Sequence, residues 1–362
     1  MFQTFLRSIL IFLLVLSCWV LYVNFQQSKQ LERFSNDYIW QLNTSIKDAT
    51  RNFILPAKNI AKLGAYMYQE NLISFAQPES LKTFVAPFVE SYPQFKGYFV
   101  GLETKEFWFW RNTYDPNYAF RIQEIRVNNN DREDRKEYLD KERQHLRFSE
   151  LMTANYDPSS RIWYEGAKAV GTSFWSDVYS FNTPLDESLP GITASYPIYD
   201  ENNALIGVWG VDIVLAELSN FLFDVGSSRA TEMAIFSETN KVIAYSGLKD
   251  INIKGKLLTA SDLDKAPIQK ALQSYKNHGF SEFYFTENGI RYLASYSSFL
   301  FGSEHKWNLL LVVPESQLIE KMGKNYSLIL FFAFTIILVS LICLIYLIRQ
   351  PLRFSLSKMV DK

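Results

Sequence analysis

Residues 192–214, ITASYPIYDENNALIGVWGVDIV, decide the architecture. Two apolar runs, 192–199 and 205–214, rich in β-branched and aromatic side chains, flank Tyr199-Asp200-Glu201-Asn202-Asn203. Asp and Asn at such a tip bond their own backbone and tolerate left-handed conformations, so the stretch predicts an antiparallel hairpin. Its second run is apolar from Leu205 to Val211 and then meets Asp212. Residues 216–224 follow as a short helix.

The same grammar extends in both directions. Upstream, 95–102 and 106–111 alternate with aromatic residues, and Gly101 and Glu103 stand near a turn. Downstream, 232–236, 241–246, 280–286, 290–297 and 307–313 read as strands. Glu238-Thr239-Asn240 and Glu287-Asn288-Gly289 supply turns between them, and 266–276 supplies a helix. The expectation is an α+β chain with two antiparallel sheets in succession. The second closes at Pro314-Glu315, and 317–324 leads towards a membrane. Ahead of the sheets, Leu31, Phe34, Tyr38, Leu42, Ile46, Ala49, Phe53 and Ala57 recur at spacings of three and four. That period predicts a long stalk helix over 30–70, bent by Pro56, with a second helix over 80–91. The charged stretch 128–147 reads as a solvated loop plus an exposed helix, with His145 as a surface histidine.

Both ends are apolar. No charged side chain occurs from Ser8 to Phe25 or from Tyr326 to Ile348, lengths that match a bilayer core about 30 Å thick. Arg7 precedes the first run, and Arg349, Arg353, Lys358 and Lys362 follow the second; cations of this kind mark the cytoplasmic side. Lys321 and Lys324, on the other side, reduce the asymmetry without reversing it. A cleaved signal peptide is the alternative reading of the first run. Ser17-Cys18-Trp19 supplies no small-x-small cleavage signal, and the apolar run continues beyond it, which favours an uncleaved anchor. The layout is a two-pass protein of a bacterial inner membrane, with 26–325 periplasmic or extracellular.

The formal net charge is −1 with both signs interspersed, so no nucleic-acid footprint is present. The two cysteines, Cys18 and Cys343, sit one in each apolar run, leaving the outer region to fold without disulfides. The three histidines, His145, His278 and His305, are scattered, and no zinc pattern, Walker loop or nucleophile-elbow motif occurs. No enzymatic activity, catalytic residue, metal or cofactor is expected.

Several pieces together carry a resemblance. Arg161-Ile162-Trp163-Tyr164 with Ala167, then Trp175 and Tyr179, Ser195-Tyr196-Pro197-Ile198-Tyr199-Asp200, Gly207-Val208-Trp209-Gly210-Val211-Asp212, and finally Trp307 to Pro314 resemble the double Cache (dCache) sensor family of bacterial transmembrane receptors. The resemblance spans the outer region and both apolar ends. It implies two tandem PAS-like modules, the membrane-distal one holding the ligand. The domain boundaries expected are 1–7 cytoplasmic, 8–25 first transmembrane helix, 26–91 stalk and helical lead-in, and 92–225 distal module. The proximal module (226–325), the second transmembrane helix (326–348) and a cytoplasmic linker (349–362) complete the chain. Members that bind amino acids carry a tyrosine, an arginine, a tryptophan, a second tyrosine and a later aspartate; Tyr156, Arg161, Trp163, Tyr164 and Asp212 fall at those positions. Tyr179 matches an aromatic that often lines the pocket. Phe181 and the 182–190 insertion depart from the pattern and concern the choice of side chain.

The residues support the same chemistry by themselves. Arg161 presents a planar fork suited to a carboxylate. Asp212 is costly to bury unless a cation meets it, and a ligand ammonium would serve. Trp163 and Tyr164 are rings with one polar handle each, suited to walling a small ligand and to cation–π attraction. An α-amino acid zwitterion has the complementary charges. The structural reading of these residues has Trp163 and Tyr164 as core and Arg161 paired with Asp157 or Asp212. An amine or short carboxylate ligand, or a protein-interaction module without a small ligand, are the other functional readings. Partners expected are the small-molecule ligand, the membrane, a second copy through stalk pairing, and a cytoplasmic output. The output is a chemoreceptor tail, a histidine kinase, a cyclic-dinucleotide enzyme or a separate subunit. Arg349-Gln350-Pro351-Leu352-Arg353 resembles the opening of a HAMP linker or a coupling helix.

Overall fold

The computed structural model describes residues 2–113, 117–128, 131–142, 144–151, 156–181, 189–227, 231–247, 257–263, 266–301, 305–322, 335 and 337. The chain forms two compact units, one of residues 1–40 with 314–362 and one of residues 41–313. Helix α1 (Phe2–Gln69) continues through Pro56 and begins well before the stalk expected at residue 30. Among the described residues no helix is long and apolar enough to cross a membrane. The second apolar run, 326–348, lies outside the described residues apart from Thr335 and Ile337.

The unit 41–313 holds both expected sheets. The first contains β1 (Gly97–Leu102), β2 (Phe107–Asn112), β3 (Phe120–Asn128), β4 (Asp131–Leu139) and β5 (His145–Leu151). It continues with β6 (Phe174–Trp175), β7 (Tyr179–Phe181), β8 (Leu189–Tyr199) and β9 (Leu205–Val214). The strand order is β5-β4-β3-β2-β1-β9-β8-β6, with β7 also on β8. The second sheet contains β10 (Glu232–Phe236), β11 (Val242–Tyr245), β12 (Glu282–Glu287), β13 (Ile290–Phe301) and β14 (His305–Pro314), in the order β11-β10-β14-β13-β12. Helices α2 (Pro78–Ser91), α3 (Ile162–Val170), α4 (Leu215–Ser227) and α5 (Ala266–His278) complete it, and α6 (Glu315–Met322) belongs to the other unit. The hairpin tips lie where the turn chemistry predicts them, with Asn203, Asn240 and Asn288 at positive φ.

Both faces of the first sheet are covered, which is why β2 reads as unbroken aromatic sequence. Trp108 stacks on Phe75 at 5.8 Å, and Trp110 on Trp209 at 6.3 Å, on the face towards α1 and α2. Gly64 in α1 permits this approach: a Cβ there would lie 2.5 Å from the Trp209 ring. Phe107 and Phe109 point the other way, into a core with Phe99, Trp163, Tyr164 and Val208 beneath α3.

The charged stretch 128–147 departs from expectation. It forms β4, the start of β5 and most of the connection between them, rather than a loop and a helix. Every residue from Asp131 to Glu137 is charged, and opposite signs pair across the ladder, Glu124 opposite Arg135 and Arg126 opposite Glu133. Opposite charges directly across an antiparallel pair support a strand that carries no apolar stripe. His145 is exposed, as expected, with Nδ1 3.6 Å from Glu137. Helix α3 was not legible either. Asp157, whose carboxylate accepts from Ser159 N at 3.0 Å, caps the 3₁₀ turn Pro158–Ser160 that leads into it; Arg161 is the helix's own N-cap, without a side-chain hydrogen bond, and Gly171 ends it at φ 70.

The second sheet closes its own face with rings. Phe236, Tyr245, Phe285, Leu310 and Val312 pack beneath α5 together with Tyr292 and Tyr296. None of its fully buried polar side chains among the described residues is charged.

Candidate functional site

Among the described residues, the buried charged side chains all fall between Lys96 and Asp212, in or beside the first sheet. Asp212 faces Thr193 on β8 and Gly97 on β1. Thr193 Oγ1 donates to Asp212 Oδ1 at 2.6 Å, and the Tyr179 hydroxyl lies 2.7 Å from Thr193 Oγ1. Burial pushes the Asp212 carboxyl up to about 7, against the opposing pull of the Thr193 hydrogen bond and of the Arg161 and Arg111 guanidinium groups. The group is therefore poised between its two protonation states at neutral pH.

Arg161 stands at the junction of a short 3₁₀ turn (Pro158–Ser160) and α3. Its guanidinium carbon lies 5.8 Å from the centre of the Tyr156 ring and 5.8 Å from that of Tyr179. It makes no ion pair with Asp157 or Asp212, and its buried Nε has no hydrogen-bond partner. Asp157 is taken by Lys105 Nζ at 2.9 Å and by Ser159. Arg161 and Asp212 thus face one another within electrostatic reach without touching. An internal Arg161–Asp212 or Arg161–Asp157 bridge, the structural alternative, is not formed.

Tyr156 is positioned from behind. Arg132 Nη2 donates to its carbonyl and, at 2.8 Å, to that of Lys105, tying the segment to β4 and to the β1–β2 turn. Burial raises the Tyr156 phenol, Arg161 opposes this, and the hydroxyl bonds with both Trp163 and Arg161. The Tyr179 phenol is likewise raised well above its ordinary value by burial and by the Asp212 charge. Trp163 lies in the first turn of α3 with its ring edge-on to Phe99 at 4.7 Å, and its carbonyl accepts from Ser195 Oγ at 2.9 Å.

Five of the six residues expected from the sequence come together here: Tyr156, Arg161, Trp163, Tyr179 and Asp212. Tyr164 packs against Trp163, but its hydroxyl donates to Glu103 at 2.9 Å, an oxygen shared with Lys168, so it serves the wall behind the cluster. Thr193 and Arg132 belong to the site and were missed, because only strand pairing brings them to Asp212 and Tyr156. Phe181 lies edge-on to Tyr179 at 5.1 Å and covers Gly191. Residues 182–188 of the insertion lie outside the described residues.

No curated protein matches the chain. Among solved structures, the ligand-binding domain of Pseudomonas fluorescens chemoreceptor CtaA in complex with L-isoleucine matches with 15% identity and a TM-score of 0.47, covering 79% of this chain and 94% of that one. That of Pseudomonas aeruginosa PAO1 chemoreceptor PctC in complex with GABA matches at 15% identity and 0.48, covering 76% and 98%. The Campylobacter jejuni chemoreceptor Tlp3 sensory domain with isoleucine bound matches at 16% and 0.46, covering 78% and 95%. Residues 109–220, which hold every member of the cluster, match the family model described as methyl-accepting chemotaxis protein-like, first PDC sensor domain.

Proposed function

We propose that the chain is the sensory region of a transmembrane receptor whose first sheet binds an α-amino acid. The observation that carries this reading is the pair Arg161 and Asp212. One offers a buried guanidinium Nε without a partner and the other a buried carboxylate, and they face each other between Tyr156 and Tyr179 without forming a bridge. A ligand carboxylate would take the Arg161 fork, helped by the Tyr156 hydroxyl. Its ammonium would take Asp212, backed by Thr193 and the Tyr179 ring. Trp163 and Tyr164 shape the wall. The second sheet, closed by rings, serves as a non-binding module.

The membrane reading rests on the uncharged runs at residues 8–25, which lie within α1, and 326–348, with residues 26–325 between them outside the cytoplasm. In this reading residues 92–225 are the distal binding module and 226–325 the proximal one. The ligand closes the distal module around its two charged ends and shifts the balance between two geometries of the outer region. The shift reaches a cytoplasmic output through residues 349–362, in a dimer paired along α1. The role is non-catalytic.

A thermal-shift screen of the purified full chain against amino acids, amines and organic acids tests this. An amino acid should stabilise the folded state by about 2.7 kcal/mol at a hundredfold excess over its dissociation constant. The gain should vanish in both Arg161→Ala and Asp212→Asn. Retention in Arg161→Ala would point instead to an amine, and no stabilisation by any class would leave an interaction module.

A further inference from the structure

Strand pairing carries the face that holds Asp212 on across the sheet. Register aligns Asp212 with Gly97, and Arg111 with Arg121, at neighbouring positions of β9, β1, β2 and β3. One residue pair along, Phe109 faces Gln123, which faces Lys136 on β4. Directly paired residues point to one side, so Arg111, Arg121 and Lys136 share the Asp212 face. At about 4.8 Å per strand, the Cα of Arg111 stands about 10 Å from that of Asp212, the span of a short side chain. Between them lies the Phe109 ring over Gly97, with the Arg121 guanidinium 5.8 Å from its centre.

All three cations are buried, Lys136 to 1% exposure. Asp134 is the buried carboxylate beside them, and each of its oxygens accepts from Gln123 Nε2 at 2.9 Å. Lys136 Nζ forms an ion pair with Asp134 Oδ2 at 3.4 Å but makes no hydrogen bond. A buried ammonium with its donors unmet is expensive. A sheet built only for stability would place apolar groups here, as the second sheet does on the face beneath its own helix.

We propose that this face is the side-chain subsite of the binding site and that it selects a carboxylate, making the ligand class a dicarboxylic α-amino acid such as L-glutamate or L-aspartate. The proposal rests on the amino-acid reading of Arg161 and Asp212 and adds to it the end of the ligand that those residues do not touch.

Isothermal titration calorimetry on the purified full chain tests it, with L-glutamate and L-aspartate against their amides L-glutamine and L-asparagine, and with L-alanine and glutarate. One of the two acids should bind at least tenfold more tightly than its amide in the unaltered protein, a comparison that needs no variant. Lys136→Met should weaken that acid at least fivefold while the amide stays within twofold. Amides or L-alanine binding as tightly as the acids would overturn the acidic subsite and leave the amino-acid reading standing. Glutarate equalling L-glutamate would overturn the ammonium contact at Asp212 and keep the anionic subsite. Absence of binding by every probe would overturn both.

Discussion

Asp212 concentrates the physics of the site. Its carboxyl, ordinarily near 3.8, is pushed up to about 7 by burial, so the folded chain holds a proton there that the unfolded chain releases. The sign follows directly: between pH 4 and 7 the folded state binds more protons than the unfolded one, so this group's contribution to stability is full at low pH and is lost as pH rises to about 7. Of the groups facing it, the Tyr156 and Tyr179 phenols are raised by burial and stay neutral over that range. Asp212→Asn keeps an acceptor for Thr193 and removes the charge. The ligand-free variant should therefore melt above the unaltered protein at pH 8 and by a smaller margin at pH 5, as read by thermal denaturation. Binding has the opposite dependence. An ammonium ligand needs the carboxylate, so affinity should fall about tenfold per pH unit below 7, measured by calorimetry. Arg161→Lys should lose about 1.5–3 kcal/mol of binding, since an ammonium keeps the charge and loses the fork. Arg161 and Asp212 were both legible in the sequence, each as a charge out of place in an apolar or aromatic context. Thr193 was not, because a threonine within a strand looks the same whether or not a carboxylate lies opposite.

At the scale of elements, α3 and β4 make the site and neither was foreseen. The helix is short, and the 3₁₀ turn that leads into it and places Arg161 depends on the Asp157 cap. Asp157→Ala should cost about 1 kcal/mol of stability, seen in urea unfolding, and should weaken ligand binding through displacement of Arg161. Strand β4 carries charge on both faces, so a search for alternating apolar residues passes over it. Its partner β3 and the buried Gln123 and Asp134 are what keep it in the sheet. Helix α1 was legible from its spacing of three and four, and its close approach to the sheet depends on one residue. Gly64→Ala should destabilise by about 1–3 kcal/mol through the clash with Trp209, with ligand affinity in the folded protein unchanged.

Across the whole molecule, the two sheets of the 41–313 unit divide the work. Among the described residues, buried charge lies in or beside the first, and the second is sealed by Tyr245, Phe285 and Tyr292. Phe285→Ala should cost about 3–5 kcal/mol in chemical denaturation while calorimetry on the remaining folded protein shows an unaltered ligand affinity. A fall in affinity matching the loss of stability would mean that the sheets do not act separately. The sequence alone determined the succession of two antiparallel sheets, the hairpin tips at Asn203, Asn240 and Asn288, and the identity of the charged pair, because turn residues and misplaced charges act over a few positions. Tertiary structure decided which charges are buried together. Arg111, Arg121, Lys136 and Asp212 lie on four strands, and only the successive pairing of β9 with β1, β1 with β2, β2 with β3 and β3 with β4 sets them on one face. It also decided that Arg161 would meet two tyrosine rings instead of the Asp157 carboxylate four residues before it, since Asp157 is held by Lys105 from a distant turn.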